Sequence, residues 1–123
     1  MKRYCLALDI ADDPKLIAEY RRHHESIWPE VVASIRNSGI REMEIYLLGT
    51  RLIMFIEVDD TFSFDKKADA DRSNPKVQEW EQLMWKFQRP LPQAKPGEKW
   101  VLVERIFKLE SSPTLHQELH LPR

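Results

Sequence analysis

Glu42-Met43-Glu44-Ile45-Tyr46-Leu47-Leu48-Gly49-Thr50-Arg51-Leu52-Ile53-Met54-Phe55-Ile56-Glu57-Val58-Asp59 is the stretch whose reading decides the fold. Two strand-forming runs, 42–48 and 51–59, flank Gly49-Thr50, a link short enough for a tight hairpin. Successive side chains of a strand face opposite ways, so Leu52, Met54, Ile56 and Val58 share one face while Ile53 and Phe55 share the other. Both faces are apolar. An antiparallel sheet with helices on one side only should turn polar on its other side, so this sheet needs a second cover.

Working outward toward the N-terminus, Asn37-Ser38-Gly39 reads as a helix stop, and Pro29 to about Ser38 as the helix it ends. Before it, Asp13 is placed to cap a helix that opens on Pro14 and runs through His24, with a break near Ser26 to Trp28. Arg3 to Ile10 is a strand with little polar character on either face. Toward the C-terminus, Phe64 to Asp71 reads as helix, and Ser73-Asn74-Pro75 interrupts and recaps a stronger one. In that helix Val77, Trp80, Met84 and Phe87 recur at helical spacing. Arg89 to Gly97 holds three prolines and reads as a surface loop, Lys99 to Leu109 as the last strand. The order strand, helix, strand, strand, helix, strand is the split βαβ arrangement, an α+β fold of the ferredoxin-like βαββαβ type. Two helices cover one sheet face, so the apolar other face predicts a homodimer packed sheet to sheet.

Length allows one domain, placed at residues 1–110, with a polar tail at 111–123. Nineteen basic against twenty acidic residues leave no basic face for nucleic acid or an anionic membrane. No apolar run approaches a bilayer span, and the N-terminus lacks a signal-peptide pattern, so a cytoplasmic protein is expected. Cys5, the single cysteine, reads as a small buried hydrophobe in a strand. A glycine-rich phosphate loop and a G-x-S-x-G elbow are both absent from the sequence. His116 and His120 superficially resemble a zinc helix, but Gln117 stands where the metalloprotease glutamate belongs, and no metal site or cofactor is expected.

Chemistry is sought in Glu19 to Glu30. Residues four apart share a helix face, so Tyr20, His24 and Trp28 form one stripe. His24 gives and takes a proton near neutral pH, and the Tyr20 hydroxyl either meets a sugar oxygen or orients the imidazole. The competing reading of His24 is a surface histidine in an Arg-rich helix. His23 points about a hundred degrees away and is expected to be solvated. Trp80 and Trp85 share no face well, so at most one should line a site. Glu81 is either a proton acceptor or a wet residue, and Tyr46 is divided between core and site.

Glu19-Tyr20, His24 and Ile27-Trp28-Pro29-Glu30, with Ile45-Tyr46-Leu47 and the Trp80 helix, resemble the signature of the L-rhamnose mutarotase family. The resemblance runs from the first strand to about Leu109. It implies a dimeric ferredoxin-like α+β barrel and cofactor-free interconversion of the α and β anomers of a 6-deoxy-L-hexose. By position, His24 matches the family's proton donor, Tyr20 a substrate-contacting tyrosine, and Trp80 the first of an adjacent tryptophan pair. Glu81 stands in place of the second tryptophan, and Met43 where another substrate tyrosine is expected, which makes L-fucose a competitor to L-rhamnose. Alternatives from other classes are a haem- or aromatic-metabolite-handling dimer and a non-catalytic sugar-binding domain.

Overall fold

Helix starts are fixed by local chemistry. The computed structural model describes residues 1–109. After strand β1 (Lys2–Ile10), the Asp13 carboxylate accepts the Lys15 N–H at 2.9 Å and Pro14 opens helix α1 (Pro14–Glu25). The chain breaks at Ser26 to Trp28, and Pro29 opens α2 (Pro29–Asn37). Strands β2 (Ile40–Leu48) and β3 (Arg51–Val58) form the hairpin across Gly49-Thr50, where Gly49 takes a positive φ of 60°. Helix α3 (Phe64–Arg72) is capped by Ser63, and α4 (Pro75–Trp85) by Asn74, whose side chain accepts from the N–H groups of Lys76 and Val77.

The last part of the chain departs from the sequence reading. Beyond α4 the backbone tightens into a turn, with Lys86 N–H on Leu83 O and Phe87 N–H on Met84 O. That turn delivers Gln88–Arg89 to the edge of β1 as a short strand, β4, beside Asp9 and Ile10. The final strand, β5, is Val101–Val103 only, pairing with Cys5 to Ala7, rather than Lys99 to Leu109. Continuing its register would set Arg105 opposite Arg3, two like charges. The tail at 111–123, with His116 and His120, lies outside the described residues.

The sheet is antiparallel in the order β2-β3-β1-β4, with β5 also on β1, so β4 and β5 together hold the fourth place of a ferredoxin-like α+β sheet. On the helical side Leu8, Ile10 and Leu52 meet Tyr20, Val31, Trp80, Met84 and Phe87 in one core. Phe87 is fully enclosed and ties the end of α4 to that core. On the other side the register aligns Cys5 with Phe55 and Ala7 with Ile53, and Ile53 in turn with Tyr46. Phe55 and Tyr46 stack edge to face at 5.9 Å and are 38% and 53% exposed. Tyr46 therefore lies outside the helical core, with its ring on the outer face. Cys5 is half-buried there, and its burial pushes the thiol pKa up, away from the reactive thiolate.

Candidate active site

The helices do not close completely on the sheet. Between α1, the β2–β3 floor, α4 and the 97–100 segment lies a cavity of about 550 Å³. Tyr20, His24, Met43, Trp80 and Glu81 all border it. The fold gathers these five side chains, each named as a candidate from the sequence, from three elements.

Helix spacing sets the centre. The His24 Nδ1–H donates to the Tyr20 carbonyl, one turn back, at 2.8 Å. A carbonyl only accepts, so this bond fixes the neutral tautomer with its lone pair on Nε2. The imidazole also lies against the Tyr20 ring at 4.3 Å and meets Trp80 edge-on at 5.6 Å. Burial holds the His24 pKa below its ordinary 6.5; the bond to Tyr20 works against this, and His23 adds to it. The Tyr20 hydroxyl is pushed up by burial, which a hydrogen bond from Gln88 partly opposes, so it stays a neutral phenol. The Gln88 Nε2–H donates to the Tyr20 oxygen at 3.2 Å.

The opposite wall carries a charge pair. Lys99 Nζ donates to the Glu81 carboxylate at 2.6 Å and to the Glu81 carbonyl at 2.9 Å. Its side chain is 9% exposed, and its cation lies 4.6 Å from the Trp85 ring centre. Glu81 is therefore a paired carboxylate, and with its side chain 41% exposed it is also in contact with solvent, as expected of a wet residue. Trp80 and Trp85 both border the cavity, Trp80 from the core and Trp85 beneath the lysine. Trp28, past the helix break, packs on Trp80 at 5.3 Å instead of extending the Tyr20–His24 stripe. His23 is half-buried with its ring 5.6 Å from Phe87, not solvated, because the turn after α4 folds over that side of α1.

Sequence reasoning missed Gln88, Lys99 and Trp100, which also line the cavity. Lys99 and Glu81 are eighteen residues apart, and Gln88 owes its depth to the tight turn after α4. Nothing periodic links these positions. Among the described residues no three of His, Cys, Asp and Glu gather into a metal-holding group, and no helix is long and apolar enough to cross a membrane.

Fold and site together define a ferredoxin-like α+β domain whose helical side opens on an aromatic, histidine-bearing hollow. A family model described as L-rhamnose mutarotase matches residues 3–109. The chain belongs to the L-rhamnose mutarotase family. It is 45% identical over 119 residues to an L-fucose mutarotase of Xanthomonas campestris pv. campestris, covering 95% of each chain. It is 32% identical to an L-rhamnose mutarotase of Oceanobacillus iheyensis over 59% of this chain and 64% of that one. Among solved structures, an L-rhamnose mutarotase from Formosa agariphila superposes with a TM-score of 0.66 at 19% identity, covering 89% of this chain and all of the other. The tetracenomycin F2 cyclase of Streptomyces glaucescens does so with a TM-score of 0.56 at 18% identity, covering 92% and 100%. Those two likenesses bear on the fold.

Proposed function

We propose that this protein is a mutarotase that interconverts the α and β anomers of a 6-deoxy-L-hexose through ring opening, using its own side chains for acid–base chemistry. The observation that carries the reading is the pinned imidazole: Nδ1 is committed to the Tyr20 carbonyl, which leaves Nε2 to trade a proton in a cavity walled by Trp80.

Ring opening moves a proton from the anomeric oxygen to the ring oxygen. Both oxygens are bonded to one carbon, so a single ring nitrogen serves both. Neutral Nε2 takes the anomeric proton. The electrons of the C1–O5 bond leave with the ring oxygen as C1=O1 forms, and the imidazolium protonates that oxygen. The aldehyde turns about its C1–C2 bond, and the reverse sequence closes the ring on its other face. His24 is thus the proton donor to the ring oxygen, as the family resemblance implies, after first acting as acceptor. Tyr20, held as a neutral phenol, offers a hydrogen bond to a sugar oxygen. Glu81 is tied to Lys99, which argues against it as the base and for a part in reading sugar hydroxyls. Trp80 supplies a flat wall, and Met43 part of the floor.

A paired carboxylate in place of a second tryptophan, together with the 45% identical L-fucose mutarotase, supports L-fucose beside L-rhamnose as substrate. The test is anomer exchange by magnetisation-transfer NMR on both sugars, side by side, with a chelator present. Exchange above the buffer rate on at least one of them is expected. Sugar-induced stabilisation without exchange would instead mark a non-catalytic binding domain. We further read the protein as a cytoplasmic homodimer joined through the outer sheet face.

A further inference from the structure

We propose that Gln88 is a substrate-reading residue of this site, accepting a hydrogen bond from one hydroxyl of the bound sugar while orienting the Tyr20 hydroxyl toward it. The inference rests on the mutarotase reading for its ligand class, a pyranose, and on the geometry for the rest.

Gln88 is 4% exposed, the one buried polar residue among the described residues. Its amide has two ends. The Nε2 end is satisfied by Tyr20 at 3.2 Å, whereas Oε1 finds no partner among the described residues. Interiors rarely leave such a group unpaired, since its lost hydration is not made good by any contact. The strand around it would accept an apolar residue: Gln88 pairs with Ile10, and its neighbours in the core are Tyr20 and Phe87. Gln88 also lines the cavity that His24, Tyr20 and Trp80 line. An unpaired acceptor on a residue that lines such a cavity is a group kept for the ligand.

The bond to Tyr20 adds a second consequence. Because the amide N–H fills a lone pair of the phenol oxygen, the hydroxyl hydrogen is turned away from Gln88. Gln88 and Tyr20 then present an acceptor and a donor as neighbours, the pattern that one sugar hydroxyl, itself donor and acceptor, satisfies. A site built this way discriminates against a sugar lacking that hydroxyl, because both protein groups are then left unpaired.

The experiment uses the full chain and its Gln88→Met variant, with Gln88→Leu as a second apolar replacement should the first fold poorly. Dissociation constants are measured by NMR titration, and KM and kcat by anomer exchange, for L-fucose, L-rhamnose and their 2-, 3- and 4-deoxy analogues. Expected are a rise of about tenfold or more in Kd and KM for the parent sugars and a thermal midpoint of the sugar-free variant at or above that of the unmutated protein. One deoxy analogue should bind variant and unmutated protein alike. A purely structural glutamine would lower the midpoint and leave the analogue pattern unchanged; that outcome, or an unaltered Kd, overturns the proposal. Unmutated protein that binds sugar without exchanging anomers removes the mutarotase reading and leaves Gln88 to be judged on Kd. Exchange by the unmutated protein with unchanged constants in Gln88→Met removes this inference alone, and absence of any sugar binding removes both.

Discussion

His24 is held between two opposing influences. Desolvation by Tyr20, Trp80 and the core favours the neutral ring, while the bond from Nδ1 to the Tyr20 carbonyl favours the charged one; desolvation is the larger. The resting imidazole is therefore neutral at pH 7 and its Nε2 is ready to accept. As pH falls, kcat/KM should decline along a limb centred below 6.5, because that limb reports the free enzyme's histidine. A limb centred at or above 6.5 in a pH–rate profile would contradict this. Stability follows the same shift. The unfolded chain takes up the His24 proton near 6.5 and the folded chain only at lower pH, so between those values the unfolded state binds more protons and stability falls as pH falls. Above 6.5 the ring is neutral in both states and adds no slope. The Tyr20–His24 pair was legible in the sequence because four-residue spacing alone brings such side chains together. The burial of His23 was not, since it depends on Phe87, far along the chain, folding over α1.

The helices declare themselves through their ends, and those ends carry measurable weight. Asn74 gives one side-chain oxygen to two otherwise unpaired N–H groups at 3.2 and 3.3 Å. Asn74→Ala should therefore lower stability by about 0.5–2 kcal/mol in a urea titration, and because α4 carries Trp80 and Glu81 it should weaken sugar binding with it. Unchanged stability would mean that Pro75 alone starts the helix. Asp13-Pro14, Trp28-Pro29 and Asn74-Pro75 are strong start signals, which is why three helix starts match the sequence reading. The last strand was over-read for a related reason. Val, Ile, Trp and Phe at 99–109 favour extended chain, but propensity cannot say how much free edge β1 offers. Part of that edge is taken by β4, and Arg3 opposes further pairing. Gln88 escaped notice because its depth comes from the turn after α4, not from any pattern in its neighbours.

On the scale of the whole molecule, the outer sheet face is arranged as an interface would be. Ile53, Phe55, Tyr46 and Val103 make an apolar centre, with cross-strand ion pairs at its edges: Arg3 with Glu57 at 3.1 Å and Arg51 with Asp9 at 2.5 Å. An apolar centre inside a charged rim is the usual anatomy of a protein–protein contact. Sedimentation at micromolar concentration should give a dimer, and Phe55→Asp, which buries a carboxylate at its middle, should give a folded monomer. A monomeric unmutated protein would contradict the reading of that face. The apolar character of both sheet faces was visible in residues 52–58, as was the split βαβ order, because a strand's alternation is written directly into its sequence. The Lys99–Glu81 pair was not, for it joins segments that only the tertiary fold brings together.

All of this converges on one ring nitrogen exchanging a proton with a sugar. The most direct measurement is anomer exchange by magnetisation transfer, comparing His24→Ala with the unmutated protein on L-fucose and L-rhamnose. Loss of acid–base assistance should slow exchange by roughly 10²–10⁴-fold while circular dichroism shows the fold intact. A folded His24→Ala protein that exchanges anomers as fast as the unmutated one would contradict the assignment.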